Sequence, residues 1–294
     1  MIQRAIYTWK STTGHYKGFT KRGIEVMKLS VESANKFYDT ELFCDSKSKS
    51  LFIKNKIPFK KITVVDWLDN FKSKNWGLAK LETMRHQTSE YVHLDLDTIL
   101  VKKLKEFDED ICWGYYEVDF SSIKEHGNDK LKWKDIKYVL ENYINIALKY
   151  EKDRIDDFDF SVVPNNSLMI VNKPYPIGDM ITKLMEMTSD YNGPFDVSKN
   201  MFMEQFLFHQ LVIHSGYISN TAYSHGKTNT ITDVGYTINP ITLDGILERG
   251  FFHWDMFSEF TEDTYNLIFE KIISMNNLHD SRLDKHITYN DLIF

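Results

Sequence analysis

Apolar positions recur along this chain in two rhythms, and the rhythms alternate. "RAIYTW" (residues 4–9) is a short run of β-branched and aromatic residues and predicts a first strand. Across residues 18–38, Ile24, Met27, Val31, Ala34 and Phe37 recur at steps of three and four, which lays one apolar stripe along a helix. "TELFCD" (40–45) and "KKITVVDWL" (60–68) predict the second and third strands. "WGLAKLETMRHQTS" (76–89) has helical composition, and "YVHLDLD" (91–97) predicts a fourth strand. Strands alternating with helices favour an open α/β sheet with crossover connections.

The rhythm loosens after "ICWGYY" (111–116). Residues 129–152 predict a long amphipathic helix with Ile136, Leu140, Tyr143 and Ala147 on one face, followed by an acidic loop over 151–160. "SLMIV" (167–171) predicts a strand, and "IGDMITKLMEM" (177–187) a helix. "MFMEQFLFHQLVI" (201–213) predicts a buried helix. "GYISN" and "FFHW" predict short late strands. "TEDTYNLIFEKIISM" (261–275) predicts a last helix, with acids in its first turn and Ile268, Ile272 and Met275 on one side. No internal repeat and no Gly-, Ser- or Pro-rich linker interrupts the chain, so one domain over residues 1–294 is expected.

Composition narrows the class. The 294 residues are 42% hydrophobic, enough for one large core, and Gly (13) and Pro (6) are too few for a disordered or low-complexity chain. No apolar run reaches the ~18–20 residues of a membrane span, and "MIQRAIYTWK" holds no long apolar core of the signal-peptide kind. Cys44 and Cys112 sit in apolar strand contexts and are expected as two free, buried thiols in a reducing compartment. A cytoplasmic protein is expected. The net charge of −6 is unevenly spread: residues 1–61 hold 13 Lys and Arg against 5 Asp and Glu, the rest 23 against 37. A basic first third suits either a phosphate-bearing ligand or a solvated lysine surface. The acidic remainder argues against wrapping long nucleic acid.

One constellation carries chemistry. Asp-x-Asp occurs at 95–97, 108–110 and 157–159. The latter two lie in charged segments and read as solvated loops. Asp95 and Asp97 alone are gripped by apolar residues on both sides, in "YVHLDLDTILV". Ligands of open α/β sheets gather at the carboxyl ends of strands, and residues i and i+2 of an extended segment point the same way. Two adjacent carboxylates repel unless a cation neutralises them. Oxygen ligands suit Mg²⁺ or Mn²⁺, which keep positions open for phosphate oxygens. A strand end whose aspartates cap turns is the plainer alternative.

Apolar strand, Asp-x-Asp and apolar strand together resemble the metal-dependent, nucleotide-sugar glycosyltransferases of the GT-A fold. The order of the surrounding elements resembles them too: "IYTW" first, "NWGLAKLETMRHQTS" before the metal motif, then "PNNSLMIVN", "FMEQFLFHQ" and "GFFHWD". The resemblance implies a GT-A-like, Rossmann-related α/β fold, an open mixed sheet flanked by helices. It implies a nucleotide-sugar half over 1–105, an acceptor half over 106–294, and Mn²⁺ or Mg²⁺ as cofactor. The donor would be a UDP- or GDP-sugar; the acceptor would be a glycan or another hydroxyl compound, with a nucleic-acid base as a lesser alternative.

Roles follow by the same resemblance. Asp97 would be the main metal ligand, Asp95 would touch the metal or the ribose, and His253 would complete the coordination. The family often follows that histidine with Gly and Lys, which Trp254 and Asp255 here do not supply; His225 in "SHGKT" is the other candidate. Tyr7 and Trp9, alternating with Thr8 on the first strand, either line the nucleotide pocket or pack in the core. Trp76 and Lys80 share a helix face, where Lys80 meets a phosphate or ribose or stands exposed. Asn165 and Asn166 either bond sugar hydroxyls or form a turn. Glu204, in a strongly apolar helix, either meets the acceptor as general base or is ion-paired.

Two rivals stand beside this reading. "DLDTIL" also resembles the first motif of haloacid-dehalogenase-type phosphatases, with Asp95 as nucleophile and Asp97 as acid/base. That motif normally opens the domain, whereas three predicted strands precede it here. The other rival is a non-catalytic module that binds nucleotide sugars without turning them over.

Overall fold

The computed structural model describes residues 2–11, 20–73, 76–119, 162–188, 202–214, 219–221 and 251–253, with positions 270 and 274. The first strand forms as β1 (Arg4–Trp9). Thr20 opens α1 (Lys21–Asn35), its side chain accepting from the Gly23 N–H and so meeting a donor the helix cannot satisfy itself. β2 (Asp39–Cys44) leads into α2 (Ser46–Lys54), capped in the same way by Asp45, and then β3 (Lys61–Val64).

Here the pattern overreaches. "KKITVVDWL" predicts one strand through Leu68, but the strand stops at Val64 and a single helical turn, α3 (Asp66–Asp69), follows. The Leu68 and Asp69 N–H groups both donate to the Val65 carbonyl, at 3.1 and 3.2 Å, so this stretch satisfies its backbone locally rather than in the ladder.

The order continues with α4 (Trp76–Arg85), β4 (Tyr91–Leu94), β5 (Thr98–Leu100), β6 (Ile111–Asp119), β7 (Val162–Val171) and α5 (Pro174–Thr188). A π-helical turn (Phe202–Leu207) runs into α6 (Phe208–His214), and β8 (Ser219–Thr221) and β9 (Phe251–His253) follow. The helix expected over 129–152, the acidic loop after it, His225 and, apart from 270 and 274, the last helix lie outside the described residues.

Seven strands make one open sheet in the order β3-β2-β1-β4-β7-β6-β8. The first four are parallel; β7 runs antiparallel to both β4 and β6. The chain is thus a mixed α/β domain whose sheet is flanked by helices. β5 and β9 form a separate antiparallel pair.

The strands are apolar on both faces because both are covered. Ala5, Tyr7, Trp9, Leu42, Val92 and Leu94 face α1 and α2, with Met27, Val31, Ala34 and Phe52 opposite. Ile6, Phe43, Tyr91, Trp113 and Met169 face α4, α5 and α6, meeting Leu81, Met84, Ile177, Ile181 and Phe208. Among the described residues no helix is long and apolar enough to cross a membrane.

Two details of the sheet place the site. The β6–β7 register jumps from Trp113↔Met169 to Tyr115↔Asn165, so extra β7 residues bulge out around Asn166 and Ser167. β9 pairs Thr98 with His253, which brings that backbone beside the Asp95–Asp97 turn.

Candidate functional site

β4 ends at Leu94, and Asp95, Leu96 and Asp97 form a tight turn before β5. The expectation that the two aspartates lie on one extended strand is therefore corrected: the Thr98 N–H donates to the Asp95 carbonyl at 3.0 Å, which closes the turn. The β7 bulge holds it from one side. The Ser167 carbonyl accepts from the Asp95 N–H at 2.8 Å and from the Thr98 hydroxyl at 3.1 Å. α1 holds it from the other. Ser30 donates to the Thr98 carbonyl at 2.6 Å, and the Leu100 N–H donates to the Ser33 hydroxyl at 2.9 Å. Ser30 and Ser33 are buried polar groups inside an otherwise apolar stripe. That interruption was the signal by which sequence reasoning could have found them.

Lys80, on α4, joins residues that the sequence presents separately. It is buried, with Nζ 2.7 Å from Asp95 Oδ1 and 3.0 Å from Asp95 Oδ2. The same ammonium lies 2.6 Å from Glu204 Oε1 and donates to the Asn166 carbonyl at 3.1 Å. Its three donors are thus used, with the Trp76 ring 5.0 Å away on the same helix face. Lys80 therefore neither stands exposed nor offers a spare donor to a phosphate or ribose. Burial alone would favour its neutral form, but Asp95 and Glu204 outweigh that and push its pKa up, so it is an ammonium.

Glu204 is fully buried in the π-helical turn, a local distortion that often marks a functional position. It sits against Gly77 of α4. A methyl group added there would meet the Glu204 carboxylate oxygen and lie 2.7 Å from its Cβ. The Asn166 amide donates to the Glu204 carbonyl at 2.6 Å, while Asn166 Oδ1 is buried without a hydrogen-bond partner among the described residues. Asn165 accepts from the Ser167 N–H at 2.7 Å and so shapes the bulge.

On the same sheet face, Thr8 and His93 Nε2 lie 3.2 Å apart. Burial, reinforced by the Lys80 charge, holds the His93 pKa well below the ordinary histidine value, so the ring is neutral. Tyr7 and Trp9 point to the opposite face and pack edge-on against Phe59 and Phe52 at 5.1 and 5.5 Å. Core packing is their structural role, and the stacking surface expected of them is not presented.

Asp97 is buried at the end of the turn, Asp95 is partly exposed, and β9 delivers the His253 backbone one residue from Asp97. Among the described side chains no three His, Cys, Asp or Glu converge into a ready cation cage. The Asp95 and Asp97 side chains are hard carboxylate oxygens, the donor type that Mg²⁺ or Mn²⁺ takes, and the His253 backbone lies beside them in register.

A family model described as "Family of unknown function (DUF6734)" matches residues 7–113, little more than a third of the chain. No curated protein matches the sequence. Among solved structures the chain is similar to the PaToxG glycosyltransferase, at 11% identity over 99% of this chain and 82% of that one, with a TM-score of 0.43. It is similar to the inositol-1-phosphate CTP transferase from T. maritima, at 10% identity over 92% and 96%, with a TM-score of 0.45. Mouse xyloside xylosyltransferase 1 is 8% identical over 87% and 98%, with a TM-score of 0.41. The functional reading therefore stands on this chain's own residues.

Proposed function

We propose that the chain is a metal-dependent glycosyltransferase that moves a sugar from a UDP- or GDP-sugar to a hydroxyl acceptor, a glycan first among them. One observation carries the reading. Two carboxylates close β4 where the sheet changes from parallel to antiparallel neighbours, the crevice position at which open α/β sheets take ligands.

Asp97 and His253 would hold the dication, with Asp95 shared between it and Lys80. Mn²⁺ or Mg²⁺ would supply Lewis-acid stabilisation of the charge that develops on the leaving diphosphate. The chain's residues provide the frame. Ser30, Ser33 and Ser167 lock the turn, so the carboxylates are preorganised rather than ordered on binding. In transfer, the bond from the anomeric carbon to the diphosphate oxygen breaks, a bond to the acceptor oxygen forms, and the acceptor proton leaves to a base. Glu204, fully buried and paired with Lys80, serves as that ammonium's anchor and not as this base. Asn166, fully buried, supports the site from behind, its amide holding the Glu204 carbonyl at 2.6 Å.

The test is donor turnover. UDP- and GDP-sugars are offered with Mn²⁺, and release of nucleoside diphosphate is followed with and without candidate acceptors. Asp97→Asn should lower turnover by at least ~10²-fold, the scale of losing a principal electrostatic contact, while the melting temperature stays within a few degrees. Unchanged turnover in that variant removes the metal assignment. Phosphate release from a generic ester, with no nucleotide-sugar turnover, would favour the phosphatase instead.

A further inference from the structure

Resting on the metal site proposed above, we infer that Lys80 is the resident counter-ion of Asp95, that Glu204 anchors it there, and that this pairing keeps the free protein's affinity for a dication low, so that metal and donor diphosphate enter as a pair.

The geometry carries this. Both Asp95 oxygens lie on the Lys80 nitrogen, at 2.7 and 3.0 Å. A dication approaching Asp95 meets a fixed positive charge on the carboxylate it needs, in a place shielded from solvent. The lysine cannot swing aside into water, because it is 4% exposed and held at 2.6 Å by Glu204 and at 3.1 Å by the Asn166 carbonyl. Glu204 is itself fixed. Gly77 closes over its side chain, and the Asn166 amide holds its backbone at 2.6 Å. With Lys80 in place, Asp95 meets an incoming dication as a carboxylate already shared with a cation. A diphosphate brings oxygens and negative charge of its own.

The cluster of Lys80, Asp95 and Glu204 allows a test in which one variant, the charge-preserving double substitution, separates local pairing from net charge. Mn²⁺ binding is measured by electron paramagnetic resonance of the free ion, on the full chain, without nucleotide and with UDP. Wild type should bind Mn²⁺ at least roughly tenfold more tightly with UDP than without. Glu204→Gln leaves Lys80 wholly to Asp95 and should weaken binding of Mn²⁺ alone by several-fold. The double variant Lys80→Met, Glu204→Gln restores the wild-type net charge of the cluster but frees Asp95. It should bind Mn²⁺ alone roughly tenfold more tightly and lose most of its dependence on UDP. A folded double variant with wild-type affinity overturns the inference. So does a Glu204→Gln protein that binds Mn²⁺ as tightly as wild type or more so, which decides the matter should the double variant not fold. Asp97→Asn separates the two layers. If it leaves Mn²⁺ binding unchanged, the metal site itself is wrong; if it abolishes binding and the other variants fail to move in opposite directions, only the role of Lys80 is.

Discussion

Gly77 shows at the scale of one residue how tightly the site is built. Replacing an exposed helical glycine by alanine normally stabilises a helix by about 1 kcal/mol. Here the added methyl group would lie 2.6 Å from Glu204 Cδ and 2.7 Å from its Cβ, so rotating the carboxylate cannot relieve the overlap. Overpacking costs about 1–3 kcal/mol and outweighs the helix gain. Gly77→Ala should therefore lower the melting temperature by several degrees and disturb the Lys80–Glu204 pair, which thermal unfolding and Mn²⁺ titration together would report. The cysteines offer a second check. Burial, with Asp45 adding to it at Cys44 and Glu109 at Cys112, pushes both thiols up to about 12. Neither should react with a thiol reagent at neutral pH until the protein is unfolded, and fast labelling of the native chain would contradict the packing described. Most of the residues that make the site were conspicuous in the sequence for one reason: Asp95, Asp97 and Glu204 are polar groups inside apolar runs, while Asn166 only heads one. Their partnership was not legible. Lys80 joins positions 15, 86 and 124 residues away along the chain, and nothing local to α4 says which carboxylates its ammonium will meet.

Among the elements, the first four strands and α1 followed from hydrophobic period alone, because each buries a whole face or stripe. The period failed where local hydrogen bonding competed with it. Val65 turns the third strand into α3, the Asp95–Asp97 turn splits the fourth strand from β5, and the β7 bulge has no periodic signature. Polar α2, "SKSKSLFIK", was not anticipated either: it buries only Ser48 and Phe52, so its apolar stripe is too thin to stand out. α1 does more than cover the sheet. Ser30 carries a hydrogen bond to the Thr98 carbonyl at the far side of the motif turn. Ser30→Ala leaves that buried carbonyl short of a donor and should cost about 1–3 kcal/mol. Chemical denaturation measures that loss, and a parallel fall in Mn²⁺ affinity with UDP present would show that the turn, not only the helix, has loosened.

Over the whole molecule, charge is arranged rather than merely counted. At one edge of the sheet Glu41 lies 2.7 Å from Lys61, accepts from Thr63 at 2.6 Å and has Arg4 at 3.4 Å. Burial raises its pKa, but these partners outweigh burial and hold it below the usual glutamate value. Asp45 is lowered in the same way, its burial overcome by hydrogen bonds from Ser11 and Ser48. A carboxylate with a depressed folded pKa contributes stability above its unfolded pKa and loses it as pH falls through the folded one. Stability should thus be level near neutrality and decline from about pH 5 downward, with a shallower acid-side decline in Glu41→Gln; denaturation midpoints measured across that range test it. The central claim is more local than this: a dication sits at the turn that closes β4, against Asp97. Anomalous scattering from a crystal grown with Mn²⁺ and a nucleotide sugar addresses it most directly. The account predicts a manganese peak within coordination distance of an Asp97 oxygen and of a diphosphate oxygen, with Lys80 still on Asp95. A nucleotide bound elsewhere, or a turn whose Asp97 carboxylate meets no metal, would contradict it.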